Sequence, residues 1–346
     1  MSRFLLCIAA LLTLATILKA AKDPVASARR ATFRNPLKGN GADPWMTYDD
    51  GWYYLCTTTD SDVQMRRARH LGELRDAPDQ VVWKDAMPSR ARNIWAAEFH
   101  RLQGDHGVRW FLYYTASDGR DDNHHRLHVA ESAGSDPRGP YTYRAQLLTD
   151  PQDEFYAIDG TVLKLPNGEL YFLWCGRPSP AGQGLYISRM ANPWTLIGPR
   201  RYLPASGFGC SVVREGPETL QHNGKVYLIY SMCGADTPDY KLGMLMADAH
   251  GDLLNPASWI QYPTPVLKRV DARGVYGPGH NFFFKSPDGK EDWIIYHAKS
   301  GVANTFGDRS ARAQRFTWNA DGTPNFGAPL SLDTEIPVPS GEVAAR

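Results

Sequence analysis

The chain has 346 residues, 38 Lys plus Arg against 37 Asp plus Glu, and a formal net charge of +1. That balance excludes the basic footprint of a nucleic-acid binder, and no basic stripe is visible. The length suits one large closed all-β unit, and the abundance of Gly, Pro and aromatic residues suits many short strands and turns.

In chain order, Arg3 is followed by an almost unbroken apolar run from Phe4 to Leu18 and then by Lys19-Ala-Ala. A charged start, a short apolar core and small residues read as a signal peptide over 1–21. The mature chain is then exported, secreted or periplasmic, with no membrane attachment after cleavage. Residues 22–35 form a polar lead-in, with Phe33 the first anchoring side chain.

From there five aromatic-rich runs each follow a glycine turn. They begin at Trp52, Trp110, Tyr171, Tyr227 and Trp293, after Gly51, Gly107, Gly168, Gly224 and Gly289. Turns such as Pro166-Asn-Gly and His222-Asn-Gly supply the positive φ that tight hairpins need. The runs suit buried strands. Third strands are legible at Arg126–Ala130 and Gly184–Ser188, and alternation marks another at Arg312–Trp318. A hairpin alone cannot bury both faces. Five copies at a period of roughly sixty residues predict a five-bladed β-propeller over 22–335, because a solenoid repeat is usually shorter. The tail 336–346 carries Pro337, Pro339 and Gly341 and little apolar content, so it is expected to be mobile.

Counting eight or nine residues back from each turn glycine lands on Asp43, Glu98, Asp159, Glu215 and His280. In a propeller the first strand of each blade lines the channel, so these five should converge at one mouth. Gathering four carboxylates costs repulsion that folding alone does not reward. The pattern therefore points to acid–base chemistry on a glycosidic bond, with one carboxyl protonated and another ionised. Trp45, Trp95, Phe155 and Trp174 flank the ring positions and are candidates to stack on sugar rings. Arg312 is a further candidate for substrate binding. Cys56, Cys175, Cys210 and Cys233 lack metal-ligand spacing. Free buried thiols and no essential bridge are expected.

The motifs Gly41-Ala-Asp-Pro-Trp45, Ile94-Trp-Ala-Ala-Glu98, Ile158-Asp-Gly-Thr161, Arg214-Glu-Gly-Pro217 and Tyr276-Gly-Pro-Gly-His280 resemble the successive motifs of glycoside hydrolase family 43. Lys285–Ala298 and Phe316–Pro324 resemble its α-L-arabinofuranosidase members in particular. The resemblance implies a five-bladed propeller that hydrolyses with inversion. It makes Asp43 the general base, Glu215 the general acid and Asp159 the carboxylate that tunes the acid. Glu98 becomes a supporting contact, while Glu218 is a rival acid whose spacing to Gly224 breaks the repeat. No cofactor is required, although some members place a calcium ion on the channel axis, where His280 would be the metal-facing residue.

The implied substrate is a plant cell-wall polysaccharide or oligosaccharide containing arabinose or xylose, cut to release terminal arabinofuranose. β-Xylosidase and endo-arabinanase are the alternatives within the family, and a non-catalytic sugar-binding propeller is the alternative outside it. Two positions depart from the family pattern. Ala97 stands where proline is usual, and Arg214, in place of asparagine, is expected to point outward.

Overall fold

The computed structural model describes residues 31–180 and 182–342. Five four-stranded antiparallel sheets succeed one another along the chain, which makes the five-bladed β-propeller. After β1 (Thr32–Phe33), blade one contains β2 (Trp45–Asp49), β3 (Trp52–Thr57), β4 (Val63–Ala68) and β5 (Gln80–Trp83). Blade two contains β6 (Arg92–Gly104), β7 (Gly107–Ser117), β8 (Arg126–Ser132) and β9 (Tyr141–Leu147). Blade three contains β10 (Ala157–Lys164), β11 (Leu170–Gly176), β12 (Gly184–Asn192) and β13 (Thr195–Leu203). Blade four contains β14 (Arg214–His222), β15 (Lys225–Met232), β16 (Lys241–Asp248) and β17 (Ile260–Gln261). Blade five contains β18 (Tyr276–Lys285), β19 (Asp292–Lys299), β20 (Ser310–Trp318) and β21 (Pro324–Asn325), and β22 (Ile336–Pro337) follows.

The apolar core lies between blades. One cluster joins blades one and two through Trp45, Phe99 and Tyr114, another joins two and three through Phe111, Phe172 and Trp174. Leu173 and Leu228 belong to the next cluster, and Ile229 and Ile294 to the one after it. The last, with Leu55 and Ile295, seals blade five against blade one. Because both faces of each blade are covered, the second strands read as continuous apolar runs without alternation.

Closure uses both ends of the described chain. Thr32 and Phe33 pair with Pro337 and Ile336, and Val338 N–H donates to the Ala31 carbonyl at 2.9 Å. Asn35 exchanges two hydrogen bonds with the Ala313 backbone, at 2.9 and 3.0 Å. The expected mobile tail is therefore corrected over 336–342. Ile336 is buried in the closing cluster, and Ser340 N–H donates to Glu291 at 2.9 Å. Residues 343–346 and the segment 1–21 expected to be a signal peptide lie outside the described residues.

In or just before each first strand there is a left-handed residue at the same level: Asp43, Ala96, Asp159, Gly216 and His280, with φ between 42° and 53°. The strand pairing breaks register around this level in blades two to five. A bulge of this kind re-aims side chains and leaves an N–H without its ladder partner. In every blade a side chain from the preceding blade accepts that N–H. Thr58 serves Ala96, Thr115 serves Asp159, Ser231 serves His280 and His297 serves Asp43, at 2.8–3.2 Å. Between blades three and four the acceptor is the Asp159 carboxylate itself, which takes Gly216 N–H at 3.0 Å.

Candidate active site

Asp43, Asp159, His280 and Glu215 face one cavity of about 560 Å³ at the channel mouth. Trp95 and Tyr156 form part of its wall, together with Asp60, Phe306 and Arg309. Non-glycine residues held at positive φ at three of the four polar positions are strain concentrated at a site.

Asp43 is surrounded by donors. Thr58 Oγ1 donates to its Oδ2 at 2.7 Å, and Arg309 Nη1 donates to Oδ1 at 3.2 Å. His280 Nδ1 lies 3.3 Å from the same oxygen. Burial alone would raise this carboxyl, but His280, Arg309 and His297 hold it well below the usual carboxylate range. The imidazoles are themselves pushed down by burial, His297 to about 4. His297 Nδ1 also accepts Asp43 N–H, so that nitrogen carries no proton. At neutral pH the full positive charge on Asp43 is therefore Arg309.

Asp159 and Glu215 behave oppositely. Burial is the main cause in both cases. It lifts Asp159 well above the ordinary range, reinforced by the charges of Glu215 and Asp43. Glu215 rises to about 7, although Tyr240 O–H donates to its Oε1 at 2.7 Å and opposes the rise. The two titrate together, so the pair retains a proton at neutral pH while Asp43 is ionised. Tyr240 lies parallel to His297 with ring centroids 5.3 Å apart, which links the partners of Glu215 and Asp43.

The site thus offers an ionised acceptor and a protonated donor in one cavity, the division of labour that hydrolysis of a glycosidic bond requires. Calcium takes six to eight oxygen ligands. Around His280 the protein neighbours are the Asp43 carboxylate, the His297 imidazole and the Arg309 guanidinium, a set poor in oxygen ligands. Among the described residues no group of three or more His, Cys, Asp or Glu side chains could hold a metal ion.

The profile of glycosyl hydrolases family 43 matches residues 33–324. The chain belongs to this family. It is 39% identical to an extracellular exo-α-(1→5)-L-arabinofuranosidase of Streptomyces avermitilis, over 87% of this chain and 64% of that protein. A protein of the same name from Streptomyces chartreusis is 36% identical, over 79% of this chain and 84% of its own length. The crystal structure of an α-L-arabinofuranosidase from Lactobacillus brevis has a TM-score of 0.78 and 33% identity, covering 87% of this chain and 98% of that one. The chain spans less than two thirds of the length of the first of these relatives.

Several expected site residues lie elsewhere. Glu98 sits below the cavity. The left-handed residue of blade two is Ala96, so Glu98 is level with Thr161 and Glu218, two residues past their own bulges. Trp45 and Trp174 are buried in the clusters between blades, and Phe155 stacks under Arg200 outside the cavity. Arg312 is fully buried, donating to Ser310 and Ser300 hydroxyls at 3.0 and 2.9 Å. Arg214 is buried rather than outward, and donates to the carbonyls of Ala205 and Val213.

The expectation of no bridge is also corrected. Cys210 and Cys233 are joined, with Cα atoms 5.0 Å apart, on loops that adjoin the cavity residues Val213 and Gly234. Cys56 and Cys175 are free and buried. Sequence reasoning missed Arg309, Tyr240, Thr58 and His297. Of these only His297 carried a signal, as a polar residue interrupting an apolar second strand.

Proposed function

We propose that the protein is an exported, inverting α-L-arabinofuranosidase that releases terminal arabinofuranose from arabinan or arabino-oligosaccharides. The observation that carries this reading is the convergence of Asp43, Asp159 and Glu215 in one cavity, where donors hold Asp43 low and burial lifts the other two. Asp43 removes a proton from water as its oxygen attacks the anomeric carbon. Glu215 delivers a proton to the departing glycosidic oxygen as the carbon–oxygen bond breaks. Asp159 keeps the acid protonated and is fixed beside it through Gly216 N–H. One displacement inverts the anomeric centre, and no cofactor enters the chemistry.

The names of the relatives support arabinose over xylose, and support export. No helix among the described residues is long and apolar enough to cross a membrane. The test incubates the mature protein with nitrophenyl α-L-arabinofuranoside, nitrophenyl β-D-xyloside and linear arabinan, and follows the product anomer by NMR. Free arabinose, appearing first as the β-anomer, is expected. Xylose release alone, oligosaccharide products, or retention of configuration would refute the reading.

A further inference from the structure

Lys299 closes β19 directly beside the site, yet its ammonium touches no ring residue. It is fully buried, and its Nζ donates to three backbone carbonyls: Asp236 and Ala303 at 2.6 Å and Thr305 at 2.8 Å. The nearest carboxylate, Asp308, stands 3.8 Å away on an exposed loop. A buried cation is tolerated only where its donors are all satisfied. Here the satisfying oxygens come from two segments that are otherwise held together by one backbone bond, Thr305 N–H to the Asp236 carbonyl at 2.8 Å.

Both segments form the cavity wall, through Ala235 and Asp236 on one side and Phe306 and Arg309 on the other. The second runs straight from the clamp into the site. Arg309 Nε donates to the Phe306 carbonyl at 2.8 Å, Gly41 N–H donates to the Arg309 carbonyl at 2.8 Å, and Arg309 Nη1 reaches Asp43. Phe306 is left 65% exposed at the rim by the same arrangement.

We propose that Lys299 is a positioning residue for hydrolysis: by gathering three carbonyls it sets the 303–309 segment so that Arg309 faces Asp43 and Phe306 faces the substrate. This rests on Asp43 acting as the base. A point charge with three freely rotating donors suits convergent carbonyls, as a metal ion would, whereas the planar fork of arginine does not.

The test compares wild type with Lys299→Met on nitrophenyl α-L-arabinofuranoside, recording kcat and KM from pH 3 to 9. The groups facing Asp43 are Arg309, His280 and His297, with Glu215 and Asp159 across the cavity. Of these, Arg309 is the one the clamp holds. The acid limb of kcat/KM should therefore move to higher pH in Lys299→Met, with kcat/KM lower by about 10- to 100-fold at the optimum. Arg309→Met should move the limb the same way, and the double variant should move it no further. Lys299→Gln keeps donors for two of the carbonyls and should fall between, and it carries the test if Lys299→Met does not fold. An unmoved acid limb with only a lower Tm would overturn the proposal. Absence of wild-type activity on this substrate would instead overturn the functional reading.

Discussion

Below the cavity, Glu98 and Glu218 share the channel with Thr161, whose hydroxyl donates to Glu218 Oε2 at 3.1 Å. His100 Nε2 lies 2.8 Å from Glu98 Oε2, but burial pushes that imidazole down to about 4, so it brings no positive charge. Burial lifts Glu98 to about 8 and Glu218 well above the ordinary range. The folded protein therefore keeps protons that the unfolded chain releases near pH 4.5. Stability is full below that pH and is lost as pH rises through the folded value near 8. The gap between an ordinary glutamate and about 8 corresponds to about 5 kcal/mol, an upper figure for Glu98 because its buried surroundings are shared with Glu218. Glu98→Gln replaces the carboxyl by a neutral group that still hydrogen-bonds. It should raise Tm by roughly 5–10 °C at pH 8 and leave it nearly unchanged at pH 5. Calorimetry at the two pH values reads the difference. An equal change at both, or a loss at pH 8, would show that the pair is not held protonated.

Glu215→Gln should lower kcat on arabino-oligosaccharides by about 10²–10⁴-fold and far less on nitrophenyl arabinofuranoside, whose leaving group needs no proton. Equal losses on both substrates would remove Glu215 from the acid's role. Tyr240→Phe deletes the hydrogen bond that favours ionised Glu215, so the basic limb of kcat/KM, set by the group near 7, should move to higher pH. A limb that stays in place or moves down would mean that Tyr240 does not act on the acid.

The blades were legible because turn glycines and buried aromatic runs are local signals. Gly51, Gly168, Gly224 and Gly289 lead directly into or sit just before β3, β11, β15 and β19. The same counting failed for Glu98, since the β6–β7 hairpin is longer beyond its bulge and the true equivalent of Asp43 is Ala96. Trp174 and Arg312 misled for another reason. Strands covered on both faces lose their alternation, so position along the strand does not separate a side chain facing the cavity from one packed between blades. Arg309 and Tyr240 reach the site from connecting loops, whose path depends on Lys299, on neighbouring blades and on the Cys210–Cys233 bridge. None of those dependences has a sequence period.

The cap pattern explains why the acid's neighbour is so closely fixed. Every left-handed position strands one N–H, and blades one, two, four and five answer with Thr58, Thr115, Ser231 and His297. In blade three the place corresponding to Ser231 and His297 is taken by Cys175, a buried thiol and a poor acceptor. Asp159 fills the gap by taking Gly216 N–H, and Gly216 is the residue after Glu215. A backbone requirement of the fold thus sets the approach of the two carboxyls, and their burial, reinforced on Asp159 by the charge of Glu215, is what keeps a proton between them. The channel is stratified accordingly: ionised Asp43 and the raised Asp159–Glu215 pair above, and the raised Glu98–Glu218 pair below. Only the upper layer opens to the cavity, so only there can the stored proton be delivered to a leaving oxygen.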